Sequence, residues 1–248
     1  MMKNNYSYIG IALVILVFGI LFVPKIVDRI TNNDVTRNES RSNFAGQKEK
    51  GTAQTLSFIE INGTPKKVPA FSFTDQNGKT ITNTDYEGKV YIVEFFFATC
   101  PTICPRMSQN LVEVQNAFKA ETNFGIASFT INPEHDTPEV LKDYAESYGI
   151  SSPNWHLLTG DKTLIYKLSN EGFNLYTAQD ENVAGGFEHS GNFALIDKNG
   201  FIRSRKDDYG NPIIYYNGVV SEAENIDEDG NKQEITALKE DIKLLLNE

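Results

Sequence analysis

Two cysteines, Cys100 and Cys104, are the only ones among 248 residues, and they stand four apart in Thr99-Cys100-Pro101-Thr102-Ile103-Cys104-Pro105. The apolar run Val90 to Phe97 leads directly into them, and apolar residues at helical spacing follow. Sulfurs at i and i+4 at the amino end of a helix can face one side, where the helix dipole favours the thiolate. A thiolate pair supports two chemistries. It is a soft ligand set that selects Cu(I), Zn(II) or an iron-sulfur cluster, and it is a dithiol that exchanges with disulfides. Inert buried cysteines would not call for flanking prolines at a strand-to-helix junction.

A metal site needs a further ligand, and only His135, His156 and His189 are available as imidazoles. His135 lies at a helix entrance in Pro133-Glu134-His135-Asp136, a solvated place. His156 follows Trp155 in a short apolar run and reads as a core or edge residue. His189, in Gly185-Gly186-Phe187-Glu188-His189-Ser190-Gly191, precedes the strand expected at Phe193 and is the one positioned to complete a site of two sulfurs and one nitrogen.

The elements that must position these groups follow from periodicity and turn chemistry. Phe71 to Phe73 and Lys79 to Thr82 flank Asp75-Gln76-Asn77-Gly78, which predicts a hairpin. Val90 to Phe97 reads as a strand buried on both faces. Met107, Leu111, Val114 and Phe118 mark one stripe of a helix over about 106–120, and Phe124 to Ile131 reads as the next strand. Thr137-Pro138 opens a second helix as N-cap and first position. Trp155 to Leu158 gives a short strand, and Asp161 to Asn170 a short helix stopping at Gly172. Phe193 to Ile196 and Phe201 to Arg205 form a hairpin around Asp197-Lys198-Asn199-Gly200, and Ile235, Leu238, Ile242 and Leu245 lie on one face of a closing helix. This order predicts an α/β, thioredoxin-like fold: a central mixed sheet flanked by helices.

Residues 56–248 hold all these elements. From Asn4 to Pro24 no residue is charged, a stretch spanning about 31 Å as a helix, close to the ~30 Å hydrocarbon thickness. We expect a membrane anchor over residues 1–30, uncleaved because Phe22-Val23-Pro24-Lys25 lacks the small residues of a cleavage site. Residues 31–55 are polar and charged and read as a flexible linker. The net charge of −10 argues against a nucleic-acid partner, and a hydrophobic content of 40% is ordinary for a globular chain. The late segment Asp207 to Asp229, with Tyr209, Tyr215 and Tyr216 and the acidic run from Glu222, reads as a surface insertion with a solvated loop rather than a docking surface.

Phe95-Phe96-Phe97-Ala98-Thr99-Cys100-Pro101-Thr102-Ile103-Cys104-Pro105, then Asn132-Pro133-Glu134-His135-Asp136-Thr137, then Glu188-His189-Ser190 before a strand ending in Ile196-Asp197, resembles the Sco/SenC family of copper proteins. The likeness covers Val68 to Arg205. It implies a thioredoxin-like domain holding one copper ion, as Cu(I) or Cu(II), through Cys100, Cys104 and His189. It also implies delivery of that copper to the dinuclear copper centre of cytochrome c oxidase, with the oxidase's copper-bearing subunit and an upstream copper donor or thiol reductant as partners. The implied place is the bacterial cytoplasmic membrane, with the domain on the extracytoplasmic (periplasmic) side. The family's usual Asp-Pro-Glu-Arg-Asp-Thr becomes Asn-Pro-Glu-His-Asp-Thr here, a departure that touches no expected ligand but leaves His135 without a family role.

The alternative is a thiol-disulfide oxidoreductase acting through Cys100 and Cys104, keeping cysteines of the oxidase or another extracytoplasmic protein reduced. Against it, thioredoxin-type catalysts commonly have two residues between the cysteines and a cis-proline ahead of the partner-facing strand. Here there are three, and no proline between Asn154 and Asn211. A peroxidase reading of Thr102-Ile103-Cys104 would have only Arg106 as the activating cation.

Overall fold

The computed structural model describes residues 55–180, 182–207 and 209–248, together with Leu16 and Phe18. Leu16 and Phe18 are helical; the rest of the expected anchor, and of the linker up to 54, lies outside the described residues. Among the described residues no helix is long and apolar enough to cross a membrane.

The chain from residue 55 onward forms short strands β1 (Ser57–Phe58), β2 (Glu60–Ile61) and β3 (Thr64–Pro65), then β4 (Ser72–Asp75) and β5 (Thr80–Thr82). There follow β6 (Val90–Phe96), α1 (Cys104–Ala117), β7 (Phe124–Thr130), α2 (Pro138–Tyr148), β8 (Trp155–Thr159) and α3 (Lys162–Lys167). A π-helical turn (Leu168–Phe173) leads to β9 (Thr177–Gln179), β10 (Phe187–His189), β11 (Asn192–Ile196), β12 (Ile202–Ser204), β13 (Tyr216–Asn217) and α4 (Ile235–Asn247). The main sheet has the order β1-β12-β11-β6-β7-β8-β4-β5, with β13 also paired to β11. β6, β7 and β8 run parallel and the other pairs are antiparallel, so the sheet is mixed, as expected.

β6 and β7 are buried at every position, which is why β6 reads as a near-continuous apolar run. Successive strand residues point to opposite faces, so Phe95 and Phe96 serve different layers. Phe95 stacks on Phe129, itself edge-on to Phe71 and Phe73, and meets Phe173 of the π turn. Phe96 packs against Tyr144 of α2. Both predicted hairpins are present, and each is closed the same way: Asp75 Oδ1 accepts the amides of Asn77 and Lys79, and Asp197 Oδ1 those of Asn199 and Phe201. Gly78 and Gly200, at φ of 74° and 82°, supply the left-handed residue these turns need. Thr137 caps α2 through Val140 N, with Pro138 first in the helix.

Three expectations are corrected. α1 begins at Cys104 rather than near Arg106. The helix from Asp161 does not stop at Gly172, which lies inside the π turn pressed against Leu168 and Pro69; Asn174, at φ 51°, ends it. The segment 207–229 is only in part a solvated loop, because Tyr216 and Val220 are fully buried and β13 joins the sheet. Tyr209 to Asn211 and Glu228 to Asp229 do remain exposed.

Candidate metal centre

β6 carries the chain into the site, and its end is tied down from below. Ala98 N donates to Asp136 Oδ2 at 3.0 Å, and Thr130 Oγ1 donates to the same oxygen. Asp136, fully buried, thus fastens the sequence motif at 132–137 to the start of the cysteine loop. The loop then turns so that Cys100 precedes α1 by one helical turn. Because the helix starts at Cys104, that residue's amide is an unpaired first-turn donor, and it points at Cys100 Sγ, 3.4 Å away.

His189 arrives from a different small sheet. β9 and β10 pair antiparallel, with His189 opposite Thr177, so the histidine ends a strand rather than sitting in a plain loop. The tip of this hairpin presses on the cysteine loop: a Cβ at Gly185 would lie 2.9 Å from Phe97 and from Pro101, and its φ is 87°. His189 Nε2 lies 3.1 Å from Cys104 Sγ, and Nδ1 lies 3.2 Å from Ser190 O. With Nδ1 turned to that carbonyl, Nε2 is the ring nitrogen that faces the sulfurs and the one a metal would take. The ring packs edge-on to Phe97. The ligand atoms of Cys100, Cys104 and His189 all lie within 4.8 Å of one another.

The two free sulfurs differ. Cys100 is held well below the ordinary thiol range by the hydrogen bond from Cys104, by His189 and by the amides of Cys104 and Thr102. Burial, and then the neighbouring Cys100, push Cys104 up. Cys100 also lines a shallow depression of 270 Å³ shared with Thr102, Ile103, Val183, Phe187 and His189, whereas Cys104 is fully enclosed. A thiolate at an open rim and a thiol behind it can take a soft ion in low coordination, leaving one side for exchange. A larger, mostly apolar groove of 690 Å³ between Pro69–Phe73 and Leu164–Gly172 shares no residue with this depression.

Of the other sequence candidates, His135 Nδ1 bonds Asp136 Oδ1 at 2.8 Å and His156 Nδ1 bonds Asp75 Oδ2 at 3.0 Å; neither joins the cluster. Arg106 pairs with Glu224 rather than with a cysteine. One residue went unnoticed in the sequence. Glu94, 1% exposed in the middle of β6, accepts Ser128 Oγ–H at 2.6 Å, and Ser128 Oγ in turn accepts Trp155 Nε1–H at 2.9 Å. Its second oxygen has no hydrogen-bond partner among the described residues. Burial raises its carboxyl to about 7, against the Ser128 hydrogen bond and the field of His189. A lone ionisable residue inside an apolar strand was the available signal.

The sequence pattern of the SCO1/SenC family matches residues 60–223, a span that includes all three ligand candidates. The chain belongs to the SCO1/SenC family. A SCO1 protein homolog of Bacillus subtilis is 30% identical over 161 residues, 64% of this chain and 82% of that protein. Among solved structures, BsSco, a member of the Sco family of cytochrome c oxidase assembly proteins in which a disulfide switch was identified, superposes with a TM-score of 0.58 at 27% identity, covering 73% of this chain and 94% of that one. ScoI of Bradyrhizobium japonicum with copper bound gives 0.50 at 28% identity, covering 57% and 90%. This SCO1/SenC chain therefore carries its cysteine pair and histidine on a thioredoxin-like α/β fold.

Proposed function

We propose that this chain is a copper chaperone that holds one copper ion through Cys100, Cys104 and His189 and delivers it to the dinuclear copper centre of cytochrome c oxidase during assembly. The observation that carries the reading is the convergence, within 4.8 Å, of two sulfurs and one imidazole at the edge of an open depression. Two thiolates and a neutral imidazole suit Cu(I) and accept Cu(II) with an added oxygen donor, whereas structural Zn(II) takes four closed positions. Family membership supports the same cargo, since the Bradyrhizobium relative holds copper. In the same reading residues 1–30 anchor the chain in the cytoplasmic membrane, 31–55 tether it, and 56–248 fold on the extracytoplasmic side. Copper leaves by ligand exchange, Cys100 being the outer sulfur.

A second reading rests on the inequality of the two thiols. Cys100 thiolate would attack a target disulfide and displace one target thiolate. Cys104 would then lose its proton and attack Cys100 Sγ, releasing the second target thiolate and leaving Cys100–Cys104 as a disulfide for an external thiol reductant. Anaerobic Cu(I) titration of the detergent-solubilised chain against a competing chelator separates the two. We expect one copper per chain, lost in Cys100→Ser and Cys104→Ser and weakened in His189→Ala. Wild-type binding no tighter than that of Cys100→Ser sinks the copper reading; fast disulfide reduction indifferent to His189→Ala favours the second.

A further inference from the structure

The loop carrying His189 is gripped from two sides. β9 holds one side. On the other, Gly191, two residues past the histidine, offers its carbonyl to Gly218 N at 2.8 Å. Gly218 O accepts in turn from Asn110 Nδ2 at 2.8 Å. Asn110 is 2% exposed and lies on α1, the helix whose first residue is Cys104. Two hydrogen bonds therefore join the helix of one ligand to the loop of another without passing through the site itself.

The contact is tight because both backbone positions are glycine. A Cβ on Gly191 would lie 2.4 Å from Val219 Cγ2, and one on Gly218 would lie 2.5 Å from the Phe193 ring. The bracing segment is itself anchored. Asn217 pairs with Asn192 in the β13–β11 ladder, its Oδ1 accepts the amides of Val219 and Val220, and its amide donates to Glu234 Oε2. Tyr216, fully buried, donates to Asp241 Oδ2 of α4 at 2.6 Å.

We propose that Asn110, Gly191 and Gly218-Val219 form a positioning element that sets the Cys104–His189 separation before any metal arrives. This rests on reading Cys100, Cys104 and His189 as the copper site, and it assigns the late insertion a part in that site. A ligand held in place beforehand need not be ordered on binding, and partners behind metal ligands commonly change affinity by about 10- to 100-fold. A brace serving stability alone would move the melting temperature and leave the histidine's share of the affinity intact.

The test uses the full chain in detergent. Gly191→Ala is expected to weaken Cu(I) about tenfold or more, and Val219→Ala placed on top of it restores affinity by removing the obstructing methyl. In a His189→Ala background Gly191→Ala should add nothing. In metal-free protein, Gly191→Ala should shift the His189 ring-nitrogen NMR signals and speed exchange of the Gly218 amide, with both reverting in the double variant. Asn110→Ala, which leaves the backbone unchanged, should shift the same signals and serves if Gly191→Ala fails to fold. Unchanged ring signals and wild-type affinity in these variants overturn the proposal, as does a loss of affinity that persists without His189. If the wild type binds no copper, the copper reading falls, while the metal-free ring signals still decide the positioning claim.

Discussion

Replacing Glu94 by Gln removes a buried carboxyl from the middle of β6 and should change how stability depends on pH. The carboxyl rises from an ordinary 4.5 to about 7 on folding, chiefly by burial. An acid raised in the folded state is protonated there while the unfolded chain has already ionised, so its contribution is complete below 4.5 and is lost as pH climbs to about 7. At about 1.4 kcal/mol per pH unit, the loss amounts to about 3 kcal/mol, with little further change above pH 7. Gln cannot ionise; it keeps the oxygen that accepts from Ser128 and adds an unpartnered amide, a pH-independent cost of about 1–3 kcal/mol. Urea unfolding of the reduced, metal-free chain from pH 4.5 to 8 measures both. The wild type should lose about 3 kcal/mol more than Glu94→Gln across that window, the two curves converging toward neutral pH. Parallel curves would refute the claim that Glu94 is folded as a neutral acid.

Iodoacetamide on reduced protein at pH 6 to 8 should label Cys100 at a nearly constant rate and spare Cys104, read by peptide mass spectrometry; a Cys100 rate climbing tenfold per pH unit contradicts the lowered thiol. Phe129→Ala, which empties the ring cluster with Phe71, Phe73 and Phe95, should cost about 3–5 kcal/mol by urea unfolding, and less than 1 kcal/mol would mean the cluster is not a packed core. After an alkaline carbonate wash the full chain should stay in the membrane pellet and a chain starting at residue 56 should not; release of both rules out the anchor over residues 1–30.

The cysteine pair and most strands could be read from the chain because their signals are local, whereas His189 was singled out among three histidines only by its expected place before β11. A Cys-x-x-x-Cys loop, an Asp-x-Asn-Gly turn and a seven-residue apolar strand each declare themselves within a few residues. β9 and β10 could not be found this way. Thr177-Ala178-Gln179 and Phe187-Glu188-His189 are short, polar in part, and defined by pairing with each other. The packing of Tyr216 was likewise missed, because its apolar stretch lies between charged turns in sequence and its partners on β11 and α4 are supplied only by the fold. Glu94 was masked by its neighbours, whose apolar character dominated the reading of β6.

The two sulfurs are four residues apart, while the imidazole comes 85 residues after Cys104. Bringing such distant segments together costs chain entropy on the order of 4 kcal/mol, recovered only when β11 docks on β6 and the hairpin settles over the cysteine loop. A chain still folding thus presents a bare dithiol, open to oxidants, well before it can present the complete donor set. Order of events becomes a property of the molecule: the thiols must be kept reduced through folding, and tight capture of the cargo reports that the native topology has closed.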